Sequence, residues 1–82
     1  MPDYYRLTTM THYGAITETT EMLVTDEDML AAAQAMDRSG GGFAEAIAAA
    51  WFRADSGNRE RLADAFGDLF GRFVKQAYAD KT

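Results

Sequence analysis

The chain has 82 residues, no cysteine and a formal net charge of −5. This length makes a single domain with a thin core, and the missing cysteines exclude disulfides, thiolate chemistry and cysteine zinc sites. The acidic balance opposes direct nucleic-acid binding, which needs a basic footprint. With 48% hydrophobic and 12% aromatic residues the composition is globular rather than disordered.

The first 24 residues differ in texture from the rest. Residues 4–24 hold six threonines and the adjacent pair Tyr4-Tyr5, a strand-favouring composition. Tyr5, Leu7 and Thr9 alternate with Tyr4, Arg6, Thr8 and Met10, and Ile16, Thr20, Met22 and Val24 alternate with Thr17, Thr19, Glu21 and Leu23. Thr11-His12-Tyr13-Gly14 supplies a turn between the two runs. The reading is a β-hairpin over 4–24; a helix over 15–23 is the competing one, and its threonines argue against it. Two strands alone are marginal in water, so the ribbon must lie on helices or pair with a second copy.

Thr25-Asp26-Glu27-Asp28 opens a helix over about 26–38, with Thr25 as N-cap and Asp28 replacing the usual glutamate of a capping box. Met29, Ala32, Ala33 and Met36 share one face. Gly40-Gly41-Gly42 reads as a flexible joint; no Gly-Lys-Ser/Thr follows it, so it is not a phosphate loop.

A helix over 43–54 follows. At ~100° per residue, Phe43, Ile47, Ala50 and Ala54 line one face, with Ala44, Ala48 and Trp51 beside it. A helix so apolar around its circumference is a central core helix or meets a second chain. After a turn capped by Asp55 or Ser56, apolar residues from Leu62 to Tyr78 recur at steps of three and four. This last helix, 56–79, is either continuous or split at Gly67. The whole, 1–82, is one α+β domain: an N-terminal β-hairpin (4–24) followed by three α-helices (26–79), with Trp51 and Phe66 as core anchors.

Residues 43–73 carry an aromatic and an alanine-rich helix, then Ala54-Asp55, Asn58-Arg59, Leu62, Ala65-Phe66 and Phe73. In this pattern the chain resembles small phage and prophage proteins. Gly67 departs from it, standing where that family tends to have proline. The resemblance covers about 31 of the 82 residues and implies a mobile-element origin and a helical C-terminal part. It transfers no functional residue.

The candidate chemistry is sparse. His12 has no nucleophile or acid near it in a catalytic pattern. Asp26, Glu27 and Asp28 sit where a helix N-terminus favours negative charge, and Glu60, Asp64 and Asp68 are interleaved with arginines; neither set has metal-binding spacing. No catalytic, metal or cofactor residue is assigned, and the expectation is a protein that is not an enzyme. The charge asymmetry is more informative. Residues 1–37 carry a net −6 and residues 38–82 a net +1, with no basic residue from 18 to 37.

The expectation is therefore a small, acidic, cytoplasmic, non-enzymatic binding protein. The phage resemblance makes an anti-CRISPR-like inhibitor the most concrete form. Glu18, Glu21, Asp26, Glu27 and Asp28 would face the basic nucleic-acid surface of a host protein or ribonucleoprotein, and Tyr4, Tyr5 and Tyr13 would form the other contact surface. No apolar run is long enough to span a membrane, so no membrane partner is expected. The alternative is a homo-oligomeric structural or regulatory accessory protein. A homodimer is expected because the core is thin and the hairpin leaves open edges.

Overall fold

The computed structural model describes residues 4–80. Strands β1 (Tyr4–Tyr13) and β2 (Ile16–Thr25) form a two-stranded antiparallel hairpin. Four helices follow: α1 (Asp26–Ser39), α2 (Gly41–Arg53), α3 (Ser56–Ala65) and α4 (Gly67–Asp80). The α+β class and the hairpin stand as expected. The third expected helix is two, divided at Phe66.

The hairpin pairs without interruption from Tyr4↔Thr25 to Tyr13↔Ile16. Its turn is Gly14-Ala15, with φ +63° at Gly14 and no positive φ at Ala15, as a type II′ turn requires. The expected turn over residues 11–14 is thus displaced by two positions. His12 lies within β1 instead, exposed, with Nδ1 3.1 Å from the Thr17 hydroxyl on the opposite strand.

Alternation divides the ribbon into two faces. Tyr5, Leu7 and Val24 are buried on the inner face, with Met22 half-buried beside them. Helices α3 and α4 lie against β1, and α1 touches β2. Beyond those rungs the hairpin leaves the body. Every described side chain from position 10 to 21 is exposed, and the molecule measures 38 × 26 × 26 Å.

Helix α1 begins at the reciprocal capping box anticipated from sequence. The Thr25 hydroxyl accepts from the Asp28 N–H and the Asp28 carboxylate accepts from the Thr25 N–H, both at 3.0 Å. Asp55 caps α3 by accepting from the Asn58 N–H at 2.9 Å. The three glycines are not a slack joint. α1 runs to Ser39 and α2 begins at Gly41, so Gly40 alone makes the corner. A Cβ on Gly40 would stand 2.6 Å from that of Ala44 and 2.8 Å from the Met36 carbonyl oxygen, and Gly41 has φ +83°.

Trp51 is the centre of the core and is fully buried. Its ring meets Tyr5 edge-on and Phe70 at a tilt, each at 5.3 Å between centroids. Around it α1 and α2 approach through Ala32, Ala33, Ala35, Ala44 and Ala48, all buried. Small side chains at the contact let two helices come close. α2 buries the Ala44, Ala48 and Trp51 stripe, whereas Phe43 and Ala50 of the expected core face are exposed. The periodicity of an almost wholly apolar helix does not fix which side turns inward; the position of Trp51 does. Phe66 is only half-buried, edge-on to Phe43 at 5.8 Å, and Phe70 takes the buried role expected of it.

Candidate functional site

Among the described residues there is no group of three or more His, Asp or Glu side chains placed to hold a metal ion. None of the helices is long and apolar enough to cross a membrane. What the fold does display is surface, and the residues singled out from sequence divide into those it exposes and those it uses internally.

Asp26 and Asp28 are used internally. The Tyr5 hydroxyl donates to Asp26 Oδ1 at 3.2 Å, and an Arg59 guanidinium nitrogen lies 3.8 Å from the same oxygen. Arg59 also donates from Nε to the Trp51 carbonyl oxygen at 3.2 Å and stacks over the Trp51 ring at 5.0 Å. One carboxylate and one guanidinium thereby tie β1, α1, α2 and α3 together. Asp28 completes the capping box and accepts from the Tyr78 hydroxyl at 2.8 Å, joining α4 to the start of α1.

Tyr5 is therefore core, which corrects its expected place on a contact surface. Burial and the neighbouring Asp26 carboxylate raise its phenol above the ordinary value of 10.0. Tyr78 is also raised, by its hydrogen bond to Asp28 and then by desolvation. A phenol whose pKa is higher in the folded state adds stability that is complete below the unfolded value and is lost as pH climbs through the folded one. Thermal melts should accordingly show a decline in Tm that begins near pH 10. Tyr5→Phe should flatten it, and Tyr78→Phe should flatten what remains; an unchanged alkaline slope in the double variant would remove both phenols from the linkage.

Glu18, Glu21 and Glu27 are exposed, but not on a common face. Glu18 opposes Thr11 on the inner side, and Glu21 opposes Thr8 on the outer side. Glu21 comes within 3.9 Å of Arg6, both groups largely in water, so the pair contributes little. Tyr4 and Tyr13 are exposed on opposite faces as well: Tyr4 outside at the base, Tyr13 inside at the tip.

The outer face is the largest feature sequence reasoning missed. Tyr4, Met10 and Leu23 are 62%, 58% and 67% exposed there, Met10 beside Asp68 and Arg72 of α4. Met10 shares its parity with Tyr4, and Leu23 faces Arg6 across the ladder. A second uncovered surface is a groove of about 440 Å³ between α2 and α3, lined by Ala50, Arg53, Ala54, Asn58, Arg61, Leu62 and Ala65. Arg53 and Arg61 have no ion-pair partner among the described residues.

Comparison of the chain with protein-family models, with curated proteins and with solved structures finds no match.

Proposed function

We propose that this chain is a small non-enzymatic binding protein of phage or prophage type. It inhibits a host protein or ribonucleoprotein by covering a basic nucleic-acid-binding surface, as anti-CRISPR proteins do. The observation that carries the reading is the outer face of the hairpin, where Tyr4 and Leu23 stand exposed on successive rungs with Glu21 on the next. Contiguous exposed apolar side chains rimmed by polar ones mark interaction sites. The net −6 of residues 1–37 steers this end toward positive charge, and Glu27 at the start of α1 extends it beyond the strands. Asp26 and Asp28 drop out of the contact set because their oxygens are engaged within the fold. The resemblance of residues 43–73 to phage proteins supports the origin, and the acidity supports a basic partner.

The test is affinity capture from a bacterial host with tagged wild type and with Tyr4→Ser/Leu23→Ser, followed by nucleic-acid binding assays on whatever is retained. The double variant should melt within a few degrees of wild type yet lose the partner. Glu21→Lys should slow association at low salt and matter little at 1 M salt, where the screening length is about 3 Å. Full retention of the partner by the double variant would overturn the proposed face. A homo-oligomeric accessory protein is the second reading, favoured by a different observation, the open apolar groove between α2 and α3.

A further inference from the structure

We propose that the chain forms a reciprocal dimer in which each hairpin tip seats in the α2–α3 groove of a second copy. The tip has the chemistry of an insert. Tyr13 and Ile16 face each other across the last rung, 60% and 65% exposed, on the inner face of the ribbon. Glu18 is the next residue of β2 on that same face. The groove has the complementary chemistry: Ala50, Ala54, Leu62 and Ala65 supply an apolar floor, and Arg53, Asn58 and Arg61 supply donors around it. The groove is shallow and open, so it suits the flank of a protruding segment rather than an enclosed small molecule. In a protein of net charge −5, two arginines with no ion-pair partner among the described residues, beside an apolar groove, select an acidic, apolar insert.

The arm's reach explains why the occupant is another molecule. From Leu7, the last fully buried residue of β1, to Tyr13 the strand advances six residues, roughly 20 Å at about 3.3 Å each. The ladder is unbroken over that length, with no bulge to bend the tip back onto its own helices. A two-fold arrangement fills both grooves with both tips and closes, whereas a one-way insertion would leave a free tip and a free groove and propagate.

Edge pairing of β2 with β2 is the rival dimer. It would leave both the groove and the apolar tip, Tyr13 and Ile16, uncovered. The tip-in-groove contact uses Glu18 favourably. It also leaves the outer face, with Tyr4 and Leu23, free for a different partner, so the dimer and the proposed function fail independently.

Sedimentation equilibrium of the full chain from low to high micromolar concentration provides the test. Wild type should dimerise. Tyr13→Ser/Ile16→Thr, which alters only exposed side chains, and Arg53→Glu/Arg61→Glu should each weaken self-association by about tenfold or more, with unchanged far-ultraviolet circular dichroism. Mixing the two variants should restore a heterodimer, because one tip and one groove remain intact. Combining Glu18→Arg with Arg53→Glu/Arg61→Glu in one chain should recover dimerisation. A monomer at high micromolar concentration overturns the proposal. So does a dimer that survives the groove charge reversal but is broken by Thr19→Pro, which would assign it to the β2 edge.

Discussion

Replacing Trp51 with alanine should leave the protein unfolded or close to it. Truncating a buried tryptophan costs about 3–5 kcal/mol. A domain of this length has roughly 4–12 kcal/mol in total at 0.05–0.15 kcal/mol per residue. Trp51 also joins three other elements: Tyr5 of β1, Phe70 of α4, and the Arg59 guanidinium of α3 stacked on its ring. Without the indole, Arg59 loses its stacking surface, and Tyr5 loses an edge-on neighbour while its hydroxyl still needs Asp26. Phe66→Ala is the control. That ring is half-buried against an exposed Phe43, so its loss should cost about 1 kcal/mol, less than the ~1.5–3 kcal/mol of complete burial. Urea denaturation followed by far-ultraviolet circular dichroism measures both. Equal losses for the two variants would mean that the core is not centred on Trp51.

The elements themselves were legible because the two halves of the chain obey different periods. Threonine-rich alternation gives way to alanine-rich helical spacing at Thr25, and the capping box over Thr25 and Asp28 marks the boundary in hydrogen bonds. The turn was harder to place. Gly14 was the visible glycine, but a two-residue loop puts it at the first turn position and carries β1 through His12 and Tyr13. The orientation of α2 was illegible for a simpler reason: a helix apolar on nearly every side offers no pattern to break the tie, and only contacts with β1 and α4 turn Trp51 inward.

The candidate contact residues failed on parity, which the sequence already contained. Tyr4 and Tyr5 are neighbours in a strand and must point to opposite faces, so a single partner surface can hold only one of them. The same holds for Glu18 and Glu21, three apart. Counting acids along the chain gathered five residues that the register and the helix cap then separate. Carrying Tyr4's parity along the ladder instead reaches Met10, and the facing strand adds Leu23, the set that the fold exposes together. The roles of Asp26 and Arg59 were beyond any local pattern, since the residues that meet there are 33 apart.

Gly67→Ala should destabilise the protein although it replaces a helical glycine with the best helix former. Alanine gains at most about 1 kcal/mol in a helix interior, and less at the first residue of α4. Against that, a Cβ at this position would stand 2.8 Å from the Thr8 amide nitrogen and 3.1 Å from its carbonyl oxygen. Both are backbone atoms of a strand locked to β2, and neither can rotate aside. Relief requires β1 and α4 to separate, while Phe70, Phe73 and Val74 hold α4 in the core. Overpacking of this kind typically costs 1–3 kcal/mol, so the net effect is a loss of about 1–2 kcal/mol. Gly71, one turn later, should respond with the opposite sign. Its nearest neighbour would be the Thr9 hydroxyl at 3.5 Å, an ordinary contact, and Gly71→Ala should stabilise by up to about 1 kcal/mol. The same geometry at Gly67 also opposes proline. A proline ring carries a Cβ too, and it would meet the same strand, so Gly67→Pro should destabilise even though a helix begins there. Melting curves of the three variants decide the matter: stabilisation by both alanines would mean that β1 does not rest on α4 at this point, and that the break between α3 and α4 has another cause.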